Sequence, residues 1–307
     1  VRGQAFARAF DPVSTSVFRE RRAENLPILP ATSLSGGRDM DQTTKAERFK
    51  ALHQGAEILV LPNAWDAASA AIMEDAGARA VATSSAAVAW AHGYPDGDAV
   101  PTEKVLTTIA EVARVVSVPV TADVEGGYTD DLGQLADFIA RLIQAGAVGI
   151  NFEDGAREPE LHARKIEAVR QAADRAGVPL FINARIDVYL KGLAEGSAAF
   201  AETVQRAELY EAAGADGIFV PGPKDDDLIG RLADAIHLPL NIMLLPGLSP
   251  AARLQALGVR RLSSATSPFR AAYATVAKAV AGYLETGEAS AFAAEAEGLA
   301  NLNKRFS

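Results

Sequence analysis

From residue 58 onward, short apolar runs alternate with longer stretches in which apolar positions recur every three or four residues. The runs are ILVL (58–61), RAVAT (79–83), VPVTA (118–122), VGINF (148–152), PLFIN (179–183), GIFV (217–220), PLNIM (239–243) and RRLSS (260–264). Short β-rich runs between turn residues predict buried strands. The stretches between them, such as DDLGQLADFIARLIQAG (130–146) and ELHARKIEAVRQAADRAG (160–177), predict amphipathic helices. Ala76-Gly77, Ala145-Gly146, Ala176-Gly177 and Ala213-Gly214 end four of them, glycine supplying the left-handed residue that stops a helix. Alternating strands and helices imply parallel βαβ units, and eight of them predict a closed (β/α)₈ barrel. No G-x-G-x-x-G follows the first run, which weighs against a dinucleotide-binding sheet. Beyond Pro268, RAAYATVAKAVAGYLETG and SAFAAEAEGLANLNKRF predict two more helices. The first is the barrel's eighth. The second is surplus and is expected to pack on the barrel or on another subunit.

Residues 1–39 differ in character. They hold six arginines, no lysine, four acids and clusters of Pro, Ser and Gly, and are expected to form a poorly ordered extension before a single domain over 40–307. The chain as a whole has 307 residues and a net charge of −9, with 49% hydrophobic residues. That balance argues against a nucleic-acid partner. No apolar run is long enough for a membrane span. The absence of cysteine removes disulfides, thiolate metal sites and cysteine nucleophiles, and fits a reducing, cytoplasmic location.

Barrel enzymes carry their chemistry at the C-terminal strand ends. After the first run comes Pro62-Asn-Ala-Trp-Asp66, and after the second Ser84, Ser85 and a long loop with His92, Tyr94 and Asp96. The third run leads into Asp123 and Glu125, two carboxylates at the i, i+2 spacing that shares a strand face, followed by Gly126-Gly127. The fourth gives Asn151, Glu153 and Asp154; the fifth Asn183, Arg185 and Asp187; the seventh Asn241; the eighth Ser263 and Ser264. Bunched carboxylates repel one another unless protons or a cation neutralise them, so a hard divalent ion is the natural occupant. Arg185 suits bidentate grip of an anionic substrate. Simpler roles stand beside these. Asp66 caps the helix that starts there, Asp187 pairs with Arg185, and Asp154 faces away from Glu153. His92 is a loop histidine exposed to solvent, while His53, His162 and His237 lie away from the rim.

LPNAWDAASA (61–70), ATSSAAVAWAHGYPD (82–96), TADVEGGYTD (121–130), INFEDG (150–155) and NARIDV (183–188), in that order, resemble the isocitrate lyase and phosphoenolpyruvate mutase superfamily over roughly residues 48–270. The resemblance implies a barrel with Mg²⁺, or alternatively Mn²⁺, near Asp123, with Asp96, Glu125 and Glu153 completing the acidic set through water. It implies Ser84, Ser85 and Ala86 as the loop that holds the substrate carboxylate, and Arg185, with Asn241, as substrate-binding residues. It gives Arg185 and Asp96 the catalytic roles. It also implies a homo-oligomer, dimer or tetramer, in which a C-terminal helix swaps between subunits. The sequence departs from the family pattern in several respects: the residues after Glu153-Asp154 run through GAREPELHARK directly into a helix, without the long loop and its cysteine acid/base, the sixth run ends Val220-Pro221-Gly222 where many relatives carry a glutamate, and Glu125 stands where aspartate is commoner. The missing loop points away from a classical isocitrate lyase. The expected function is a Mg²⁺-dependent lyase or decarboxylase acting on a small 2-oxo acid through a metal-stabilised enolate. The alternatives are P–C bond chemistry of the phosphonopyruvate hydrolase or mutase kind, and a non-catalytic 2-oxo acid binding protein.

Overall fold

The computed structural model describes residues 41–307; the extension expected over residues 1–39 lies outside the described residues. All eight apolar runs form strands. The first forms β1 (Leu59–Leu61) and is followed, beyond Pro62, by a short strand β2 (Asn63–Ala64). The others are β3 (Val81–Thr83), β4 (Val120–Asp123), β5 (Gly149–Glu153), β6 (Phe181–Arg185), β7 (Gly217–Val220), β8 (Leu240–Met243) and β9 (Arg261–Ser263). Every pairing is parallel. β1 pairs with β9 and β2 with β3, so the two strands flanking Pro62 join the ends of the sheet and the barrel closes through Pro62. Proline, which has no N–H to donate, is tolerated at this switch of partners.

Helices fill the connections, and buried Leu135, Phe138, Ile139, Leu142 and Ile143 of the helix Leu132–Gln144 show the apolar stripe that covers the sheet. The glycines after the four predicted helices, Gly77, Gly146, Gly177 and Gly214, all have positive φ, as the stop signals required. Two expectations need correction. The stretch after Ser84 is not loop throughout: Ser84 caps a helix, Ser85–Ala91, its side chain accepting from Ala87 N–H at 3.4 Å. The surplus C-terminal helix is broken into Ser290–Ala296 and Leu302–Arg305, with Gly298 at φ 85° between them. Among the described residues no helix is long and apolar enough to cross a membrane.

Asp66 is the N-cap of the helix Ala67–Asp75. Its carboxylate accepts from Ser69 N–H at 2.7 Å, and Ser69 Oγ accepts in return from Asp66 N–H at 3.1 Å. Asp66→Ala is expected to cost about 1 kcal/mol, or about 2–4 °C in Tm. Ligand affinity should not change, and a loss of affinity in calorimetry would give Asp66 a role beyond the cap.

Candidate active site

Asp123 ends β4 beside the start of the helix Ser85–Ala91. Its Oδ2 accepts from Ser85 N–H at 3.0 Å and from Ser85 Oγ–H at 2.9 Å, while its own N–H donates to Thr83 Oγ1 at 3.0 Å. Ser85 therefore orients Asp123, and Ser84 N–H is engaged by Ala64 O at 3.2 Å. Ala86 is buried in the first turn of the same helix. A cavity of about 10 Å³, room for one water, lies against Thr83, Ser85, Asp123 and Tyr128.

Strand alternation does not place Glu125. The strand stops at Asp123, and Glu125 sits in the left-handed region at φ 50°. Its carboxylate is nonetheless buried at the rim, with 3% of the residue exposed. One oxygen accepts from the backbone N–H of Asp98, and the other, Oε1, is buried without a partner. Burial, with the nearby charges of Asp96, Asp123 and Asp98 added, raises this carboxyl to about 8, although the Asp98 N–H works against the rise. Asp96 is exposed in its loop, yet partial desolvation of its carboxyl, then the charge of Asp123, still raises it.

On β5 and β6, Glu153 and Arg185 are directly paired in register and form an ion pair, Oε2 to Nη1 2.6 Å. Burial pushes the Glu153 carboxyl up even against Arg185. Arg185 is also gripped by Asp187, Nε to Oδ1 at 2.7 Å, and this surrounding charge holds the guanidinium protonated although burial opposes it. Asp187 is thus the structural partner of Arg185. Asp154 does face away: it accepts from Asp187 N–H, Arg206 Nη1 and Tyr210 Oη, at 2.9, 2.8 and 2.8 Å. Asn241 lies inside the barrel, its Oδ1 accepting from Ser263 Oγ at 3.3 Å and its Nδ2 buried without a partner. His92 is exposed and reaches Thr108 Oγ1 at 3.0 Å; Tyr94 is half-buried.

Three charged residues at this end escape any motif. Arg157, in the short loop after β5, bridges Asp130 (2.9 Å) and Asp98 (3.2 Å), fastening the loop that carries Asp96 to the loop after β4. Lys165 is fully buried beneath, donating to Gly126 O, Thr129 O and Asp130 at 2.6–2.8 Å. Lys191 follows β6 and pairs with Asp187 at 3.5 Å. A cation beside short acidic loops in GAREPE and PDGD was the sole signal available for Arg157.

Among the described residues, no three carboxylates or histidines converge into a ready-made metal cage. The donor set still fits one carboxylate in direct contact with a Mg²⁺ that keeps most of its water, the other acids reaching it through that water. The orphaned, buried Oε1 of Glu125 is one such acceptor. A pH dependence follows. From its ordinary 4.5 up to about 8, Glu125 is protonated in the folded chain and ionised in the unfolded one, so its contribution to stability is lost as pH rises through that window. A divalent cation held beside Glu125 would displace that proton, so Mg²⁺ should raise Tm more at about pH 8.5 than at about pH 6.5. An equal rise at both would remove Glu125 from the cation's surroundings.

The phosphoenolpyruvate phosphomutase family model matches residues 49–284, most of the chain and the whole rim described above. The chain belongs to the phosphoenolpyruvate phosphomutase family. Named relatives of the chain include oxaloacetate decarboxylases of Pseudomonas and a carboxyvinyl-carboxyphosphonate phosphorylmutase of Arabidopsis thaliana. An uncharacterized protein of Mycobacterium tuberculosis is 38% identical over 228 residues, covering 73% of this chain and 83% of its own. An oxaloacetate decarboxylase of Pseudomonas savastanoi is 26% identical over 218 residues, 69% of this chain and 75% of its own. A crystal structure of a Burkholderia cenocepacia protein assigned as a phosphonomutase superposes with a TM-score of 0.74 at 41% identity, covering 77% of this chain and 98% of that one.

Proposed function

We propose that this member of the phosphoenolpyruvate phosphomutase family is a Mg²⁺-dependent lyase. It breaks the carbon–carbon bond one carbon removed from the oxo carbon of a small 2-oxo dicarboxylic acid, so that the bonding pair passes into the 2-oxo group, with decarboxylation of an oxaloacetate-like acid as the best-supported reaction. One observation carries this reading: Asp96, Glu125 and Glu153 gather with Asp123 on the rim that also holds Arg185, and desolvation first, with the charge of Asp123 adding to it, raises the first three carboxyls. Asp123 would hold the cation directly, with Asp96, Glu125 and Glu153 reaching it through water. When bound, the cation withdraws electron density from the 2-oxo group and so stabilises the negative charge left by bond cleavage.

The chain's own groups do the rest. Arg185, fixed by Glu153 and Asp187, is pre-set to receive a substrate carboxylate with little loss of side-chain freedom. Ser84 N–H and Ser85 N–H are taken by Ala64 O and Asp123, so of the Ser84–Ala86 segment it is the Ala86 N–H that would face the other oxygen of that carboxylate. Asn241 would add its unpartnered Nδ2 from below. Decarboxylation asks for an electron sink and no loop acid, since solvent protonates the product. That chemistry suits a chain with five residues, 154–158, between β5 and its helix. The oxaloacetate decarboxylase of Pseudomonas savastanoi supports this choice. A second reading, P–C bond chemistry, is favoured by the family description and by the Burkholderia protein.

The exposed apolar side chains Tyr273, Val276, Val280, Tyr283 and Leu284 on the helix Ser267–Thr286 support assembly with further copies of the chain, as a dimer or tetramer. The reaction is tested by supplying oxaloacetate, phosphonopyruvate and 2,3-dimethylmalate with Mg²⁺ and following the products. Pyruvate from oxaloacetate alone supports the decarboxylase reading. Pyruvate from phosphonopyruvate alone replaces it with P–C chemistry. No turnover of any, with retained binding, would leave a binding protein.

A further inference from the structure

Three cations stand near the mouth of the site, and they differ in how fully they are engaged. Arg185 is held by two carboxylates at 2.6 and 2.7 Å. Arg157 is held by two at 2.9 and 3.2 Å. Lys191 has one ion pair, to Asp187 at 3.5 Å, and Asp187 already serves Arg185. Its backbone is anchored: Lys191 N–H donates to Asp187 O at 2.9 Å, Val188 is buried, and Gly192 at φ 61° ends the turn.

The ammonium lies over the short loop that follows β5. Lys191 Nζ is 3.2 Å from where a Cβ on Gly155 would stand, and Arg157 Nη1 is 3.5 Å from the same point. Gly155 itself is left-handed, at φ 61°, so a side chain there is disfavoured and the space remains with the lysine. Lys191 also faces the acids of the rim, since its charge is felt by both Asp96 and Glu153. A dianionic substrate entering past Asp96, Asp123, Glu153 and Asp187 meets repulsion at its far end, which a cation bound at its oxo end does not relieve.

We infer that Lys191 Nζ receives the second anionic group of the substrate, the carboxylate or phosphonate beyond the oxo carbon. This rests on the lyase reading above and adds the residue that recognises the distal end of its substrate. Lys191 has the donors to spare: three N–H groups, with a single loose ion pair to Asp187.

Calorimetry with Mg²⁺ present separates the possibilities, using three probes on wild type, Lys191→Met and Lys191→Arg. Oxalate lacks the distal group, 3,3-difluorooxaloacetate carries a carboxylate there, and phosphonopyruvate a phosphonate. Lys191→Met should weaken at least one of the two larger probes about tenfold or more, while oxalate stays within about twofold. Lys191→Arg should keep that probe within about threefold of wild type, because the charge is retained. The larger probe that loses more identifies the distal group as carboxylate or phosphonate. Equal weakening of all three would show a general charge effect, and no weakening of any would show a bystander; either result overturns the inference while sparing the lyase reading. Failure of the wild type to bind any probe overturns both.

Discussion

Asp123→Ala should abolish the Mg²⁺-dependent part of oxalate binding, weakening it by about 100-fold or more, and should remove turnover with it. The expectation comes from position. Asp123 is the terminal residue of a central barrel strand, and its carboxylate is aimed by two hydrogen bonds from Ser85. Of the other acids, Glu153 is committed to Arg185, Asp187 to Arg185 and Lys191, and Glu125 to the Asp98 N–H, while Asp96 lies exposed on a loop and is not aimed by any strand end. Loss of a carboxylate also frees Ser85, so Asp123→Asn serves as a second variant that keeps an acceptor for it. Asn should bind the cation as poorly as Ala while holding Tm near wild type. Undiminished binding in Asp123→Asn would move the cation elsewhere.

The largest stability effect is expected at a residue with no direct part in the chemistry. Asp154→Ala should cost about 3–5 kcal/mol, because it strips a buried charge of its partner and leaves buried donors unmatched. Asp154 is fully buried and takes three hydrogen bonds, from the Asp187 backbone, Arg206 and Tyr210. Arg206 would keep only Glu202, at 2.7 Å. Urea unfolding should show the midpoint falling with the slope unchanged. Since Asp154 also fixes the backbone of Asp187, which grips Arg185, surviving folded protein should bind oxalate more weakly than wild type. A loss below about 1 kcal/mol would show that water or rearrangement replaces the carboxylate.

The barrel was legible because its strands are covered on both faces and therefore read as short uninterrupted apolar runs, with glycine stops after the intervening helices. Asp123, Glu153, Asn183 and Arg185 were legible for the same reason: a strand end fixes where its side chains project. The structural roles of Asp66, Asp154 and Asp187 were also visible in local spacing. The helix Ser85–Ala91 was hidden because seven residues, mostly alanine, carry no apolar periodicity. The C-terminal helix read as continuous because Gly298 alone is a weak signal within an alanine-rich stretch. Glu125 was assigned by strand alternation that stops two residues too early, so its burial comes from the turn and not from the sheet. Arg157, Lys165 and Lys191 depend on how three loops approach one another, a tertiary fact with no local pattern to announce it.

The central claim is that this rim and a divalent cation together cleave a 2-oxo dicarboxylic acid. The direct measurement is a time course of oxaloacetate and pyruvate by proton NMR, with protein plus Mg²⁺, protein plus chelator, and Mg²⁺ without protein. The account predicts pyruvate formed one for one from oxaloacetate, much faster with protein and Mg²⁺ together than with Mg²⁺ alone, and no protein-dependent rate under chelator. A rate equal to that of Mg²⁺ alone would contradict it.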